Sequence, residues 1–212
     1  MALIKSISGI RGTIGGKPGE NLTPVDLVKY TAAFAAMIKG KNKTAKIVVG
    51  RDGRISGAIT QSIVVNTLLS MGIHVIDAGL STTPTVELAV KWESADGGII
   101  ITASHNPKEW NALKLLNSDG EFISAEDGEI VLKTADAADF MFVPVDKLGV
   151  LEEVKDFMSR HIDAVINYPL TEVELIRSRK FRVVVDTINS TGALIIPELL
   201  KRLGVEEVIL LN

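Results

Sequence analysis

The chain has 212 residues, with 23 Lys and Arg against 26 Asp and Glu, so its formal charge is −3 and no basic tail marks it as a nucleic-acid binder. Apolar residues make up 46% and charged residues 23%, the balance of a globular protein with room for one large domain, or for one domain and part of another. With no cysteine it has no disulfide framework, thiol nucleophile or Cys-bound metal, which fits a reducing compartment; a cytoplasmic location is expected. The start, Met1-Ala2-Leu3-Ile4-Lys5-Ser6, reaches a charge after four residues and does not read as a secretory signal. No run of ~18 apolar residues suggests a membrane span, and 5% aromatic content argues against a base-stacking surface.

In chain order, Thr23-Pro24-Val25-Asp26 combines a capping hydroxyl, a Pro at the first helical position and an acid in the first turn, which predicts a helix over 24–39. Lys46-Ile47-Val48-Val49-Gly50 reads as a buried strand, and a loop from Arg51 to Gly57 leads into a helix over 58–71. His74-Val75-Ile76-Asp77 is the next strand, and Thr82-Thr83-Pro84 opens a helix to residue 92. Gly98-Ile99-Ile100-Ile101-Thr102 is a strand running into Ser104-His105-Asn106-Pro107. A strand over 112–116, a turn at Ser118-Asp119-Gly120-Glu121 and a helix over 125–137 follow. Periodicity lapses around 144–149, which places a boundary there: residues 1–148 form one domain and 149–212 begin a second. The second part reads as a helix over 151–166, then strand, helix and strand over 182–186, 192–203 and 205–211. Too few strands are present there to bury a parallel sheet, so the chain is expected to stop inside a domain. The alternation predicts an α/β fold, a mixed, mostly parallel sheet sandwiched by helices, with ligands gathered at the carboxyl ends of the strands.

Several signatures fail. The glycine-rich run Gly9 to Lys17 lacks the spacing of a Walker loop, having Arg11 six residues before Lys17 and Pro18 after it. Asn117, Asp119, Gly120 and Glu126 resemble late positions of a calcium loop, but its first ligand would be Leu115, so the segment reads as a hairpin turn. There is no His-Glu-x-x-His and no Gly-x-Ser-x-Gly. What remains is Ser104-His105-Asn106-Pro107, a hydroxyl and an imidazole on a loop after a buried strand, with Asn-Pro fixing a turn. A nucleophile or phosphate carrier suits it; a plain strand-to-helix turn is the competing reading. Lys114 lies ten residues on, where its ammonium would reach the cleft or solvent. Arg11, between Gly9 and Gly12, reads as a guanidinium on a flexible loop that either clamps phosphate or merely accompanies turn glycines. Arg51 and Arg54 would contact phosphate or pair with carboxylates, and ion pairing is favoured. His74 reads as partly buried structure, His161 as part of a solvated helix face, and Trp92 and Trp110 as packing residues.

Ser8-Gly9-Ile10-Arg11-Gly12, Gly50-Arg51-Asp52-Gly53-Arg54-Ile55-Ser56-Gly57 and Thr102-Ala103-Ser104-His105-Asn106-Pro107, in this order and spacing, resemble the α-D-phosphohexomutase superfamily. Val183-Val184-Val185-Asp186 with Asn189 and Gly192 is similar to the opening of that family's second domain, so the resemblance spans the chain. It implies that Ser104, as phosphoserine, passes its phosphoryl group to a hexose monophosphate and recovers the other one from a bisphosphorylated sugar. It further implies acid–base or electrostatic work for His105 and Lys114, phosphate contact for Arg11, a loop-shaping role for Asn106 and Asn111, and phosphate binding or loop shaping for Arg51. Which group is the general base stays open. Magnesium and a hexose 1,6-bisphosphate activator are implied, with the Ser104 phosphoryl oxygen as this chain's only ligand, because the family's Asp-rich metal loop does not occur before Asn212. The chain is therefore read as an incomplete protein, inactive alone. Two departures stand out: Ala112 follows Asn111 where the family usually has Gly, so the resemblance does not fix the loop's local backbone conformation there, and Thr102 stands where many glucosamine-type members have Ser.

The implied activity is hexose phosphate mutation, with phosphoglucosamine mutase ahead of phosphoglucomutase or phosphomannomutase. A non-catalytic phosphosugar-binding module is the alternative of a different class, and a dinucleotide binder lacks its glycine fingerprint. The implied partners are a sugar phosphate and, as monomer or homodimer, another copy of the chain; neither nucleic acid nor membrane is expected.

Overall fold

The computed structural model describes residues 3–6, 9–41 and 45–212, so Met1, Ala2 and Ser8 of the sequence motifs lie outside the described residues. The chain opens with strands β1 (Ile4–Ser6) and β2 (Gly9–Thr13). It then alternates through α1 (Pro24–Lys41), β3 (Lys46–Arg51), α2 (Gly57–Ser70), β4 (His74–Leu80), α3 (Thr83–Trp92), β5 (Gly97–Ile101), β6 (Trp110–Leu116) and α4 (Ala125–Ala137). A short 3-10 turn (Val145–Lys147) leads to β7 (Leu151–Glu153), α5 (Phe157–Ile166), α6 (Val173–Ser178), β8 (Arg182–Asp186), α7 (Gly192–Arg202) and β9 (Glu207–Leu211).

The helices start where capping chemistry predicts. The Thr82 hydroxyl accepts from the Thr85 N–H before α3, and the Ser124 hydroxyl accepts from the Asp127 N–H before α4. At α1, the Asp26 carboxylate returns to the Thr23 N–H at 3.1 Å, so the cap closes from both sides.

Seven strands form one mixed sheet in the order β1-β2-β6-β5-β3-β4-β7, with β5, β3, β4 and β7 mutually parallel. A second, parallel pair joins β8 to β9. Alternating side chains of the large sheet feed two cores, because successive residues of a strand point to opposite faces. Ile47, Val49, Ile99, Ile101, Leu113 and Leu115 pack under α1, α2 and α4, while Val48, Ile76, Ile100 and Leu116 pack with Val86, Ala89 and Val90 of α3 and with Phe157 of α5. Burial on both faces is why these strands read as unbroken β-branched runs. Trp92 stacks on Phe157 and carries the Arg160 guanidinium, a packing role.

Two expectations are corrected. Gly9 to Thr13 is not a flexible loop but strand β2, paired antiparallel with β1 and with β6, where Arg11 faces Ala112 in the register. Gly9 permits that pairing: its φ is +120°, and a Cβ there would lie 2.1 Å from the Leu113 carbonyl oxygen. Residue 151 does not open a helix, because 151–153 is β7 on the edge of the first sheet, with Val75, Ile76 and Asp77 opposite Leu151, Glu152 and Glu153. The Val154 N–H still donates to the Asp77 carbonyl, at 3.0 Å, so the first sheet extends beyond the boundary drawn at residue 148.

Candidate active site

The loops that follow β3, β4 and β5 converge at the carboxyl ends of those parallel strands, where open α/β sheets place their ligands. The Asp52 N–H donates to the Ile101 carbonyl (3.1 Å) and the Ser81 N–H to the Arg51 carbonyl (2.9 Å), which stitches the three exits together. Ser104 follows β5 in the left-handed conformation (φ +52°), uncommon for a residue with a Cβ and typical of functional turns.

Side chains from neighbouring segments impose that turn. The Thr102 hydroxyl donates to Asp52 Oδ2 at 2.6 Å and accepts from the Ser104 N–H at 3.1 Å. Asn106 Nδ2 donates to the Ala103 carbonyl at 2.8 Å. From the next loop, Arg54 Nη1 donates to the carbonyls of Pro107 (2.8 Å) and Trp110 (2.9 Å), and Nη2 to those of Ser104 (2.8 Å) and Asn106 (2.7 Å). Arg54 Nε lies 3.4 Å from Asp52 Oδ2, and both side chains are largely buried. On the far side of the same turn the Gly53 N–H donates to Ser190 Oγ at 3.1 Å, which ties in the segment after β8.

The exposed Ser104 and His105 open onto a cavity of about 270 Å³ shared with Arg11 from β2, Lys114 from β6, Asn106 and Phe122. His105 Nδ1 is 3.5 Å from Ser104 Oγ. Among the described residues the Arg11 side chain makes no hydrogen bond or ion pair, and Lys114 Nζ stands 5.6 Å from the Phe122 ring centroid, so both cations remain available to an anion. Burial raises the pKa of Glu87 on α3, a tendency opposed by the positive charge of Lys114 nearby. A second cavity, about 480 Å³, lies between Ser104 and His105 on one side and Asp186 to Gly192 on the other.

Five of the residues singled out in the sequence thus meet: Ser104, His105, Asn106, Arg11 and Lys114. Two do not face this cavity. Arg51 turns the other way, donating from Nε to Gln61 Oε1 (2.7 Å) and from Nη1 to the Asp52 carbonyl (3.1 Å), so it supports the loop's base rather than an anion. Asn111 is fully buried; its Nδ2 donates to Ser56 Oγ at 2.9 Å, which ties the start of β6 to the start of α2. Ala112 sits in regular pairing opposite Arg11, so the family's Gly is not needed for this backbone. His161 is half-buried, with Nδ1 2.9 Å from Thr85 Oγ1, and burial lowers its pKa; it is not a solvated face. No local sequence signal marks the Thr102 hydroxyl as the hydrogen-bonding hub of the turn or Arg54 as a carbonyl binder.

An exposed serine on a left-handed turn at a strand exit, with two cations unpaired among the described residues beside it, is the layout of a phosphoryl-handling domain. Residues 3–141 match the family model described as phosphoglucomutase/phosphomannomutase, alpha/beta/alpha domain I, and the chain belongs to that family. It is 38% identical over 196 residues to a phosphoglucomutase/phosphomannomutase of Thermococcus kodakarensis, covering 91% of this chain and 42% of that protein. It is 35% identical over 211 residues to a probable phosphoglucosamine mutase of Methanosphaera stadtmanae, covering 99% of this chain and 45% of that protein. The crystal structure of a putative phosphomannomutase from Thermus thermophilus superposes with a TM-score of 0.80 at 21% identity, covering 100% of this chain and 46% of that one, which shows the shared fold. The chain spans less than half the length of these relatives. Among the described residues no helix is long and apolar enough to cross a membrane.

Proposed function

We propose that the protein of which this chain forms part is a phosphohexomutase that interconverts hexose 6-phosphate and hexose 1-phosphate. Phosphoglucosamine mutase activity is its first reading, and phosphoglucomutase or phosphomannomutase activity the second. The observation that supports it most is the exposed Ser104 hydroxyl on a left-handed residue, at a cavity that also receives the Lys114 ammonium and the Arg11 guanidinium, unpaired among the described residues.

In this reading Ser104 carries a phosphoryl group. A substrate hydroxyl attacks the phosphorus in line; its P–O bond forms as the bond to Ser104 Oγ breaks, and the hydroxyl proton passes through a base to the departing Oγ. The bisphosphorylated sugar turns over, Ser104 Oγ attacks the other phosphate, and the product leaves with its phosphate moved between O6 and O1. A hexose 1,6-bisphosphate primes the serine by the same second half. Arg11 and Lys114 neutralise the charge that spreads over the phosphoryl oxygens, and His105, 3.5 Å from Oγ, or Lys114 moves the proton. Bound in the whole protein, magnesium would supply charge neutralisation at the phosphoserine, with the Ser104 phosphoryl oxygen as this chain's one contact to it. The described residues contain no group of three His, Asp or Glu side chains able to cage it, so they do not fit a magnesium site by themselves.

Phosphopeptide mapping of the whole protein, before and after incubation with a hexose 1,6-bisphosphate and magnesium, tests the reading. The expected result is a phosphoryl group on Ser104 that is lost on adding hexose 6-phosphate and absent from Ser104→Ala. An unmodified Ser104 in a protein that still binds sugar phosphate would make it a non-catalytic binder, and relative rates with glucosamine, glucose and mannose 6-phosphates decide the sugar.

A further inference from the structure

An irregular loop leaves carbonyl oxygens without ladder partners, and a donor that reaches several of them at once ties the loop together. Around Ser104 one side chain does this for four carbonyls. The terminal nitrogens of Arg54 donate to four carbonyls, those of Ser104, Asn106, Pro107 and Trp110, at 2.7–2.9 Å. The Arg54 side chain is only 12% exposed, and Asp52, itself bonded to the Thr102 hydroxyl, faces its Nε. The guanidinium therefore has no outward donor for a substrate phosphate. Its planar fork instead joins the two ends of the 104–110 loop, a geometry that an ammonium on a flexible stem does not reproduce.

We propose that Arg54 is the positioning residue of the serine loop: it holds the carbonyls of residues 104–110 inward and so fixes Ser104 in the left-handed conformation that presents Oγ to the Arg11–Lys114 cavity. This deepens, and rests on, the phosphotransfer reading for its kinetic consequence, but its structural consequence stands independently. Removing the fork frees the carbonyls of Ser104, Asn106 and Trp110, while that of Pro107 keeps the Trp110 N–H at 3.0 Å; a displacement of Oγ of about 1 Å is then enough to lower phosphoryl transfer about a hundredfold without altering the groups that bind substrate.

The test compares Arg54→Ala and Arg54→Lys with the wild-type whole protein by two readouts. Amide hydrogen exchange, followed by mass spectrometry, is expected to speed up about tenfold or more in peptides spanning 102–110 in both variants, with the β3, β4 and β6 cores unchanged. Turnover of hexose phosphate is expected to show a kcat lower by about a hundredfold with KM nearly unchanged. Unchanged exchange at 102–110 in Arg54→Ala overturns the proposal. So does full recovery of protection and kcat in Arg54→Lys, because charge rather than the fork would then be the requirement. A variant exposing more than the loop shows exchange spread over the sheet, which reduces Arg54 to general stability and also overturns it. If Arg54→Ala does not fold, Arg54→Lys carries the exchange test. If the wild type turns over no hexose phosphate, the functional reading fails while the exchange comparison still decides this one.

Discussion

Thr102→Val isolates the hydroxyl on which the serine loop hangs, since valine keeps the shape and the strand preference and removes only the polar atom. Two hydrogen bonds go, the 2.6 Å bond to Asp52 Oδ2 and the 3.1 Å bond from the Ser104 N–H. Thr102 is 6% exposed, so water does not replace the lost partner. A hydrogen bond to a charged group contributes about 1.5–3 kcal/mol and a neutral one about 0.5–1.5 kcal/mol, which gives an expected loss of about 2–4 kcal/mol. With a urea m-value of about 2 kcal/mol/M, the midpoint falls by about 1–2 M. Tryptophan fluorescence follows the right region, because Trp92 lies on α3 and Trp110 begins β6. Thr102→Ser is the control: it keeps both bonds and loses one buried methyl, at a cost of about 1 kcal/mol. A Thr102→Val protein within about 0.5 kcal/mol of the wild type, or more stable than Thr102→Ser, would refute the claim that this hydroxyl organises the loop.

Two further outcomes follow from local geometry. Burial raises the pKa of Asp77, with the Gly79 N–H and Gln61 opposing it, so the folded state binds that proton more tightly than the unfolded chain. The stability this contributes is full below the ordinary carboxylate pKa of about 3.9 and is lost as pH rises through the higher folded value. Denaturant titrations across that window should therefore show wild-type stability falling with pH relative to Asp77→Asn; a flat or rising difference counts against the assignment. Gly120 has a φ of +73°, and a Cβ there would lie 2.2 Å from the Glu87 carbonyl oxygen of α3. Gly120→Ala combines left-handed strain with that clash, a loss above about 2 kcal/mol; a thermal melt should fall by about 5 °C or more, and an unchanged midpoint would show that α3 shifts freely.

The elements that could be read from sequence are those whose signal is local. Ile47-Val48-Val49 and Ile99-Ile100-Ile101 are buried on both faces and need no partner to be recognised as strands. Thr82 and Ser124 announce helices because the cap acts within three residues. Strand β2 gave no such signal: Gly9 and Gly12 disfavour a strand, and only pairing with β6, a hundred residues away, makes it one. Strand β7 is three exposed residues, too short for a period to register, and it exists because the edge of β4 was open to it.

The same division runs through the site. Ser104 and His105 announce themselves by side-chain chemistry at a strand exit, and Arg11 and Lys114 by their charge, although the cavity they share is made by pairing β2 to β6. Arg54 and Arg51 are three residues apart and chemically identical, yet one grips the serine loop and the other faces Gln61; the ion pair with Asp52 expected for Arg54 is present but is the smaller part of what it does. Its principal partners are backbone carbonyls, which every residue carries and no sequence pattern marks. Asn111 is the complementary case, an amide expected at the loop that is instead consumed by Ser56 in the interior. Charge and nucleophilicity can be found by reading residues, whereas the placement of a nucleophile depends on backbone acceptors whose positions only the folded chain supplies. The residues that set a catalytic loop's geometry should therefore be sought among buried multidentate donors next to it, as Arg54 is here, and tested by the mobility of the loop before its rate.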